Sequence, residues 1–555
     1  MNTKTFGNIA AYLPAMAERQ PDTVAVYCPV GRFSPQQRYS SYTYAELELE
    51  SNRIAAVLNG LGIVRGVRTV LMATPGLEFF ALVFALFKVG AVPILVDPGM
   101  GIKNLKTCLE EAHPTAFIGI PKAHLVRRLL GWARRNLSVR LTLGPRLWFD
   151  EHSLPRLLTG IDKQVRYAPI EPEPDEMAAI LFTSGSTGVP KGVVYTHRNF
   201  IAQVKTLRDI YQIEPGEIDL PTFPLFALFA PALGMSAVVP QMDFTRPGQV
   251  DPPQIIAAIK RFEVTTMFGS PALIRRVARY GNQYGVKLPT LKRVISAGAP
   301  VAASTLEQFS RLLPEDARIF TPYGATEALP VCSIDSATIL GETRQLTDQG
   351  RGVCVGLPVP GVEVGVIPIS DASIPQFDPD SLLPPGHIGE IIVAGEQVTR
   401  SYFNRLESTR LAKINDLISQ RFFHRMGDLG YCDEKGRIWF CGRKSHRVIT
   451  AQQTLFTIPC EGVFNTHPQV FRTALVGVEL AGRTIPLICV ELELGVERSE
   501  HQRVIAELCD LAGRFSHTSQ IEHFLIHPSF PVDIRHNAKI FREKLASWAQ
   551  RQVAP

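Results

Sequence analysis

The sequence predicts an α/β fold divided into more than one domain, and three observations carry that expectation. The chain has 555 residues, more than a single hydrophobic core usually serves. Helical and strand-like patterns alternate through its first half, and after about Pro358 the texture changes to short strands and irregular connections. Strand–helix alternation favours parallel sheets, because each crossover helix must pack back onto the strands it joins.

Taken in order, Tyr44–Leu61 has helical periodicity and Thr69–Met72 reads as a strand. Leu77–Val96 is the most apolar stretch, but Lys88, Gly90 and Pro93 interrupt it. A membrane span needs about 20 uninterrupted apolar residues. The stretch therefore reads as a buried helix, Phe79–Phe87, leading into a buried strand, Val92–Val96, and no transmembrane segment is expected. Charged Glu171–Glu176 is a loop feeding the strand Ala178–Phe182. The helix Asn199–Ile210, the strand Val264–Phe268 and the helix Ala272–Tyr280 follow, then strands at Arg293–Ile295 and Ala317–Phe320. Ile367–Gly386 is rich in Pro, Asp and Ser and reads as an irregular excursion before the strand Ile388–Val393. Leu429–Asp433 and Arg437–Cys441, joined across Glu434-Lys435-Gly436, read as a hairpin. Gly442–Ser445 precedes a new mixture of strand and helix patterns. A boundary near Arg443 divides the chain into 1–442 and 443–555, and no internal repeat is present.

Composition narrows the function classes. Hydrophobic residues make up 45% and charged residues 20%, which fits a soluble globular protein and excludes disordered and fibrous classes. The formal charge of +6 is small for this length, and no basic run is dense enough for a nucleic-acid stripe. Arg127, Arg128, Arg134, Arg135 and Arg140 come closest and read as a solvated helix face, with contact to an acidic partner or lipid as the lesser reading. Nine cysteines are scattered without a CxxC pair or a His/Cys cluster, so reduced thiols and a cytoplasmic setting are expected. Met1–Tyr12 has one lysine and no sustained apolar core, unlike a signal peptide.

The strongest chemical signal is Thr183-Ser184-Gly185-Ser186-Thr187-Gly188-Val189-Pro190-Lys191-Gly192-Val193. It follows an apolar strand, so it emerges at a sheet edge where ligands of open α/β folds collect. Glycines let the backbone turn its N–H groups toward a ligand. The hydroxyls of Thr183, Ser184, Ser186 and Thr187 add donors, and Lys191 adds a cation suited to phosphate. A bare Gly/Ser turn would need none of these. The segment is not a Walker-A loop, since Pro190 stands where that pattern needs its second glycine.

The segment resembles the phosphate loop of the AMP-forming adenylating superfamily, which includes acyl-CoA synthetases, peptide-synthetase adenylation domains and beetle luciferases. Further motifs follow in that family's order: Tyr323-Gly324-Ala325-Thr326-Glu327, Gly427-Asp428, Gly442-Arg443, and Lys539 near the carboxy terminus. The likeness runs from about Tyr42 to Lys544. It implies a large domain of two helix-covered mixed sheets with a small β-barrel-like region, followed by a small, mobile α+β domain. It also implies ATP and Mg²⁺. Glu327 would serve Mg²⁺ on the ATP phosphates, and the Thr326 hydroxyl would reach the α-phosphate. Asp428 would accept the ribose hydroxyls, with Arg443 donating to ribose or phosphate. Gly298-Ala299-Pro300 would line the adenine, with Tyr323 on its other face beside Gly324. Lys539 would bridge carboxylate and α-phosphate in the adenylation step, which requires the small domain to close.

Ala538 stands where the family usually has Gly before the lysine, and two longer segments also depart from the family's pattern. After Arg443 the chain reads Lys444-Ser445-His446-Arg447-Val448-Ile449-Thr450-Ala451-Gln452-Gln453, with Ser445 at the hinge and no glycine where the thiol-site loop has one. Phe223-Pro224-Leu225-Phe226-Ala227-Leu228-Phe229-Ala230 reads as an apolar acyl tunnel, with Phe226, Phe229 and Ala230 as candidate wall residues and ordinary core packing as the other reading. Ala227 stands where the family often has His. These segments, with Arg535-His536-Asn537-Ala538-Lys539, are similar to the β-lactone synthetases of bacterial long-chain olefin biosynthesis. The resemblance implies that a long-chain 2-alkyl-3-hydroxy acid is adenylated and closed to a β-lactone, and that the enzyme works beside other olefin-pathway enzymes. A long-chain acyl-CoA or acyl-carrier-protein ligase is the alternative. An inactive scaffold or nucleotide-sensing module would have no reason to keep Lys191, Glu327, Asp428, Arg443 and Lys539 together.

Overall fold

The computed structural model describes residues 6–31, 34, 37–96, 100–133, 136–183, 190–223, 229–533 and 539–553. Two seven-stranded sheets lie in the amino-terminal part. One runs Arg318–Phe320, Arg293–Ile295, Thr266–Phe268, Ile218–Pro221, Ser236–Val238, Val24–Val30, Arg38–Thr43. Its neighbours are parallel except at the Arg38–Thr43 edge. The other runs His152–Ser153, Val139–Thr142, Ala116–Gly119, Arg68–Met72, Val92–Leu95, Met177–Phe182, Gly192–Thr196, parallel except for its last pair. Parallel alignment gathers the carboxyl ends of the strands at one edge of each sheet. Thr183, Ser296–Pro300 and Thr321–Tyr323 all follow such ends.

One apolar core joins the two sheets through the helices Tyr44–Gly60 and Leu77–Lys88. The first helix opens with a reciprocal cap: the Glu46 N–H donates to Thr43 Oγ1 at 3.2 Å, and the Thr43 N–H donates to Glu46 Oε2 at 2.8 Å. Such a cap satisfies two donors that a helix start leaves open. The second helix is buried from Phe79 to Lys88 and leads into Val92–Leu95, the buried helix-then-strand expected from sequence. Lys88 fits there because its ammonium donates to Glu48 Oε2 at 2.7 Å and Asn52 Oδ1 at 2.5 Å. Without partners, an ion so enclosed would cost several kcal/mol. No helix among the described residues is long and apolar enough to cross a membrane.

The arginine cluster needs correction. Arg127 is buried, its guanidinium 5.5 Å from the centroid of the Phe117 ring, so it does not belong to a solvated face. Arg128 and Arg140 reach Asp150 at 3.5 and 3.6 Å, whereas Arg134 and Arg135 lie outside the described residues. The helix Pro121–Leu130 turns Arg127 inward beside His124, and that rotation is set by packing on Phe117 rather than by polarity.

A third sheet of eight antiparallel strands extends from Tyr323–Ala325 to Val362–Ile367, and these end strands do not pair with one another. It contains the expected hairpin, now Arg421–Cys432 against Ile438–Arg443. Asp433 closes its turn, accepting from Arg437 Nε at 2.8 Å and Trp439 Nε1 at 2.9 Å. Beyond it, the strands Val470–Leu480, Arg483–Leu492 and His523–Ile526 form a sheet packed by helices Thr457–Phe464, His501–Ala512 and Arg542–Val553. Its two apolar clusters draw only on residues after Arg443.

Candidate active site

The site is built around a two-residue hairpin tip. Tyr323–Ala325 pairs with Ala328–Ser333, with Ala325 opposite Ala328, so Thr326 and Glu327 form the turn. Gly324 is required beneath it, because a Cβ there would lie 2.5 Å from the Ala328 carbonyl oxygen. Both tip carbonyls are held. Tyr195 Oη donates to Thr326 O at 2.6 Å, and the Thr399 N–H and Oγ1 donate to Glu327 O at 2.9 and 3.1 Å. The Glu327 side chain is also fixed: Tyr402 Oη donates to Oε1 at 2.7 Å. Burial, reinforced by the Glu327 charge, raises the Tyr402 pKa, so this phenol stays a donor.

The same tyrosine reaches the phosphate-loop candidate. Lys191 Nζ lies 4.9 Å from the Tyr402 ring centroid, a cation–π distance. The two ends of the loop are clasped. The Thr183 N–H donates to Lys191 O at 3.0 Å, and the Lys191 N–H donates to Thr183 Oγ1 at 3.2 Å. Ser184, Gly185, Ser186, Thr187 and Gly188 lie outside the described residues.

Hairpin register brings the next pair together, since Asp428 is the cross-strand partner of Arg443. Asp428 is buried; Tyr323 Oη donates to its Oδ2 at 2.7 Å, and Arg443 Nη1 lies 3.1 Å from its Oδ1. That second approach is an ion pair without hydrogen-bond alignment, so Oδ1 has no hydrogen-bond donor among the described residues. Burial raises the Asp428 pKa, while Arg443 and the Tyr323 hydroxyl oppose it. A buried oxygen that keeps a lone pair free suits a hydroxyl donor such as a ribose. Gly298 adopts φ 98°, the left-handed turn that carries Ala299 and Pro300 past the strand end, and the buried Ser296 Oγ just before it also lacks a partner among the described residues.

Lys539 belongs to the carboxy-terminal region, yet its charge acts on Asp428 and helps hold that carboxyl ionised. Its carbonyl accepts from the Asp533 N–H at 2.9 Å, and a bridge between Val532 and Ile540 closes the loop that carries it.

Sequence reading did not single out Lys413 or His424, which face each other across adjacent strands. Lys413 is buried, its ammonium donates to the Thr399 carbonyl, and burial pulls its pKa down to about 7 against the opposing pull of Glu327. His424 is held well below its usual pKa, first by burial and then by the cations Lys413, Lys191 and Arg443. Lys191 and Arg443 thus act on this side of the site as positive charges, which suits a polyphosphate. Glu327 contributes one carboxylate, and no group of three or more acidic, His or Cys ligands is present among the described residues. Mg²⁺ usually takes one or two protein carboxylates plus substrate phosphates, and the Glu327 carboxylate fits that pattern.

An apolar cleft with about 720 Å³ of empty space, solvent at its mouth included, opens beside this site. Ala297 and Pro322 stand at the strand-end side, and Phe229, Ala230, Leu233 and Met235 line its walls. Phe226 lies outside the described residues. Asp219 lines the cleft too, although nothing in the alternation of Ile218-Asp219-Leu220 distinguishes it from a solvent-facing strand residue.

Just after Arg443, Lys444 Nζ donates to Ser370 O at 2.8 Å and to Glu390 Oε1 at 3.1 Å, and Arg447 Nη2 donates to Asp371 Oδ2 at 3.0 Å. The following turn needs no glycine, because Thr450 Oγ1 accepts from the Gln453 N–H at 3.1 Å and donates to Gln453 O at 2.9 Å.

The family model of AMP-binding enzymes matches residues 13–403. The chain is 50% identical to the olefin β-lactone synthetase of Xanthomonas campestris pv. campestris over 99% of its length and 98% of that protein. It is 50% identical to the olefin β-lactone synthetase of Stenotrophomonas maltophilia, over 98% of each. A long-chain-fatty-acid–CoA ligase of Escherichia coli O6:H1 is 24% identical over 81% of each chain. Among solved structures, the amide bond synthetase of Marinactinospora thermotolerans superposes with a TM-score of 0.78 at 21% identity, covering 97% of this chain and 99% of that one. That likeness is one of fold.

Proposed function

This chain belongs to the AMP-binding enzyme family, and on that premise we infer that it is an ATP-dependent β-lactone synthetase acting on a long-chain 2-alkyl-3-hydroxy acid. The acid carboxylate attacks the α-phosphorus of ATP, pyrophosphate leaves, and an acyl-adenylate forms. The β-hydroxyl of the same molecule then attacks the acyl carbonyl, gives up its proton, and expels AMP as the four-membered ring closes. No second substrate enters.

In this reading Asp428 accepts the ribose hydroxyls through the oxygen that Tyr323 leaves free. Lys191, with Thr183 and the loop residues 184–188, grips the phosphates, and Gly298–Pro300 flanks the adenine. Glu327 takes Mg²⁺, which supplies charge neutralisation on the phosphates when bound, and Tyr402 holds that carboxylate in one orientation. Lys539 neutralises the negative charge that builds as carboxylate meets phosphate. Residues 1–442 would act as the nucleotide and acyl body and residues 443–555 as the smaller unit that brings Lys539 in. Phe229 and Ala230 wall the acyl cleft, and the sequence order assigns Phe226 to the same acyl segment.

The observation that supports adenylation best is the buried Asp428 carboxylate, held by Tyr323 and paired with Arg443, whose Oδ1 has no hydrogen-bond donor among the described residues and can accept from a ribose. Ring closure rather than thiol capture rests on the end-to-end likeness to the olefin β-lactone synthetases and on the glycine-free loop after the hinge. Long-chain β-hydroxy acids, plain fatty acids and CoA should be offered separately with ATP and the products read by mass. Lactone, AMP and pyrophosphate from the hydroxy acid alone is the expected result. Product only when CoA is present would overturn the reading. A cytoplasmic enzyme working beside other olefin-pathway enzymes completes the proposal, and co-purification from a native extract tests the association.

A further inference from the structure

A carboxyl group lies deep in the wall of the acyl cleft. Asp219 is laterally paired with Thr266, two residues before the strand ends at Pro221 and Phe268. At about 3.3 Å per residue it therefore lies some 7 Å deeper than the edge where Ala297 and Pro322 stand. It is 6% exposed, and its companions in the cleft are Ile213, Leu233 and Met235. Across the same sheet face run Glu217, Asp219, Thr266 and Arg293. The only cation of that group is already engaged: Arg293 Nη2 donates to Glu217 Oε1 at 3.1 Å, and Nη1 donates to Thr266 Oγ1 at 2.8 Å. Arg293 is therefore committed to Glu217 and Thr266.

We propose that the buried carboxyl of Asp219 is the polar end-stop of the acyl cleft and sets the length of alkyl chain that the cleft accepts. The inference rests on the acyl reading of this cleft. A chain that stops short of Asp219 meets only apolar wall, whereas a longer one must press a methyl group against a polar group that it cannot satisfy. Burial pushes the Asp219 pKa up to about 8, with Glu217 reinforcing and Arg293 and the Leu220 N–H opposing. Tyr211 also lines the cleft, its hydroxyl 3.3 Å from Ser333 Oγ. Lys292 acts on Glu217, and the segments Phe229–Leu233 and Ser236–Val238 bring no ionisable side chain. Neutral below about pH 8, Asp219 ionises above it and turns the end of an apolar cleft anionic.

Acid-dependent ATP–pyrophosphate exchange, measured over a chain-length series from pH 6.5 to 9.5, tests this. Asp219→Val should move the optimum to chains at least two carbons longer, with KM falling about fourfold per added methylene. Asp219→Asn, close in shape to the neutral acid, should keep the native length optimum but lose the rise in KM above pH 8. Should the valine variant not fold, the asparagine variant decides through that pH profile. An unchanged length optimum in Asp219→Val, or an alkaline rise that persists in Asp219→Asn, overturns the proposal. Leu233→Trp serves as the control for the cleft itself. If it leaves acid KM unchanged, the acyl reading fails; if it raises KM while both Asp219 variants behave as wild type, only the end-stop fails.

Discussion

Replacing Tyr402 by Phe removes one oxygen atom and leaves the ring beneath Lys191 in place. The lost bond is the 2.7 Å donation from Tyr402 Oη to Glu327 Oε1. Hydrogen bonds to charged groups contribute about 1.5–3 kcal/mol, which corresponds to roughly 10- to 150-fold in an equilibrium or rate. The perturbation should appear in Mg²⁺ dependence, because the carboxylate loses its fixed orientation while the Thr326 and Glu327 carbonyls stay anchored. ATP–pyrophosphate exchange titrated with Mg²⁺ should need at least tenfold more metal for half-maximal rate in Tyr402→Phe. Tyr402→Ala should lose a further two- to fivefold, since the cation–π contact to Lys191 is worth about 0.5–1 kcal/mol. A Tyr402→Phe enzyme with wild-type Mg²⁺ activation would refute the positioning role. Equal defects in both variants would refute the contribution of the ring.

Lys539→Ala should abolish adenylate formation while leaving ATP affinity within a few-fold; lactone output at the wild-type rate would remove Lys539 from the chemistry. Glu327→Ala should impair Mg²⁺-ATP use, and normal turnover at limiting Mg²⁺ would count against its assignment. Arg425 and Glu390 form a pair 3% and 1% exposed, so Arg425→Ala should destabilise the fold by about 3 kcal/mol in denaturant titrations; a change below 1 kcal/mol would mean that Lys444 alone neutralises Glu390. His197 is buried, and its pKa is lowered to about 4, chiefly by burial. The unfolded chain binds this proton first, so stability is full above pH 6.5 and is lost as pH falls toward 4, by up to about 1.4 kcal/mol per unit. His197→Gln should flatten that part of the pH–stability curve, and an unaltered slope would contradict the shift.

Sequence pattern located the elements well where periodicity was strong. The helix Tyr44–Gly60 and the strand Met177–Phe182 fall within a residue or so of their expected limits. Motif order also pointed to Asp428 and Arg443, and the hairpin register then explains why residues so far apart in sequence are neighbours. Groups recruited by packing were not legible. Tyr402 sits in a loop with no periodic signal, and Lys413 follows a helix end where a lysine is usually solvated. Asp219 occupies an ordinary polar slot in a strand until the helix His197–Tyr211 and the segment Phe229–Leu233 cover that face. Arg127 erred in the opposite direction: charge suggested solvent, and an aromatic ring drew it inside.

The anchored tip at Thr326 and Glu327 bears on how free energy is distributed over a turnover. A turn of two residues whose carbonyls are tied to the strand Gly192–Thr196 and to Thr399 has little conformational freedom left to lose. Nucleotide binding therefore spends none of its affinity on ordering this part of the site. Tyr195 and Thr399 then act as remote setters of catalytic geometry. Loosening either would show first as a heterogeneous site with a temperature-dependent rate, before any loss of contact with the substrate itself.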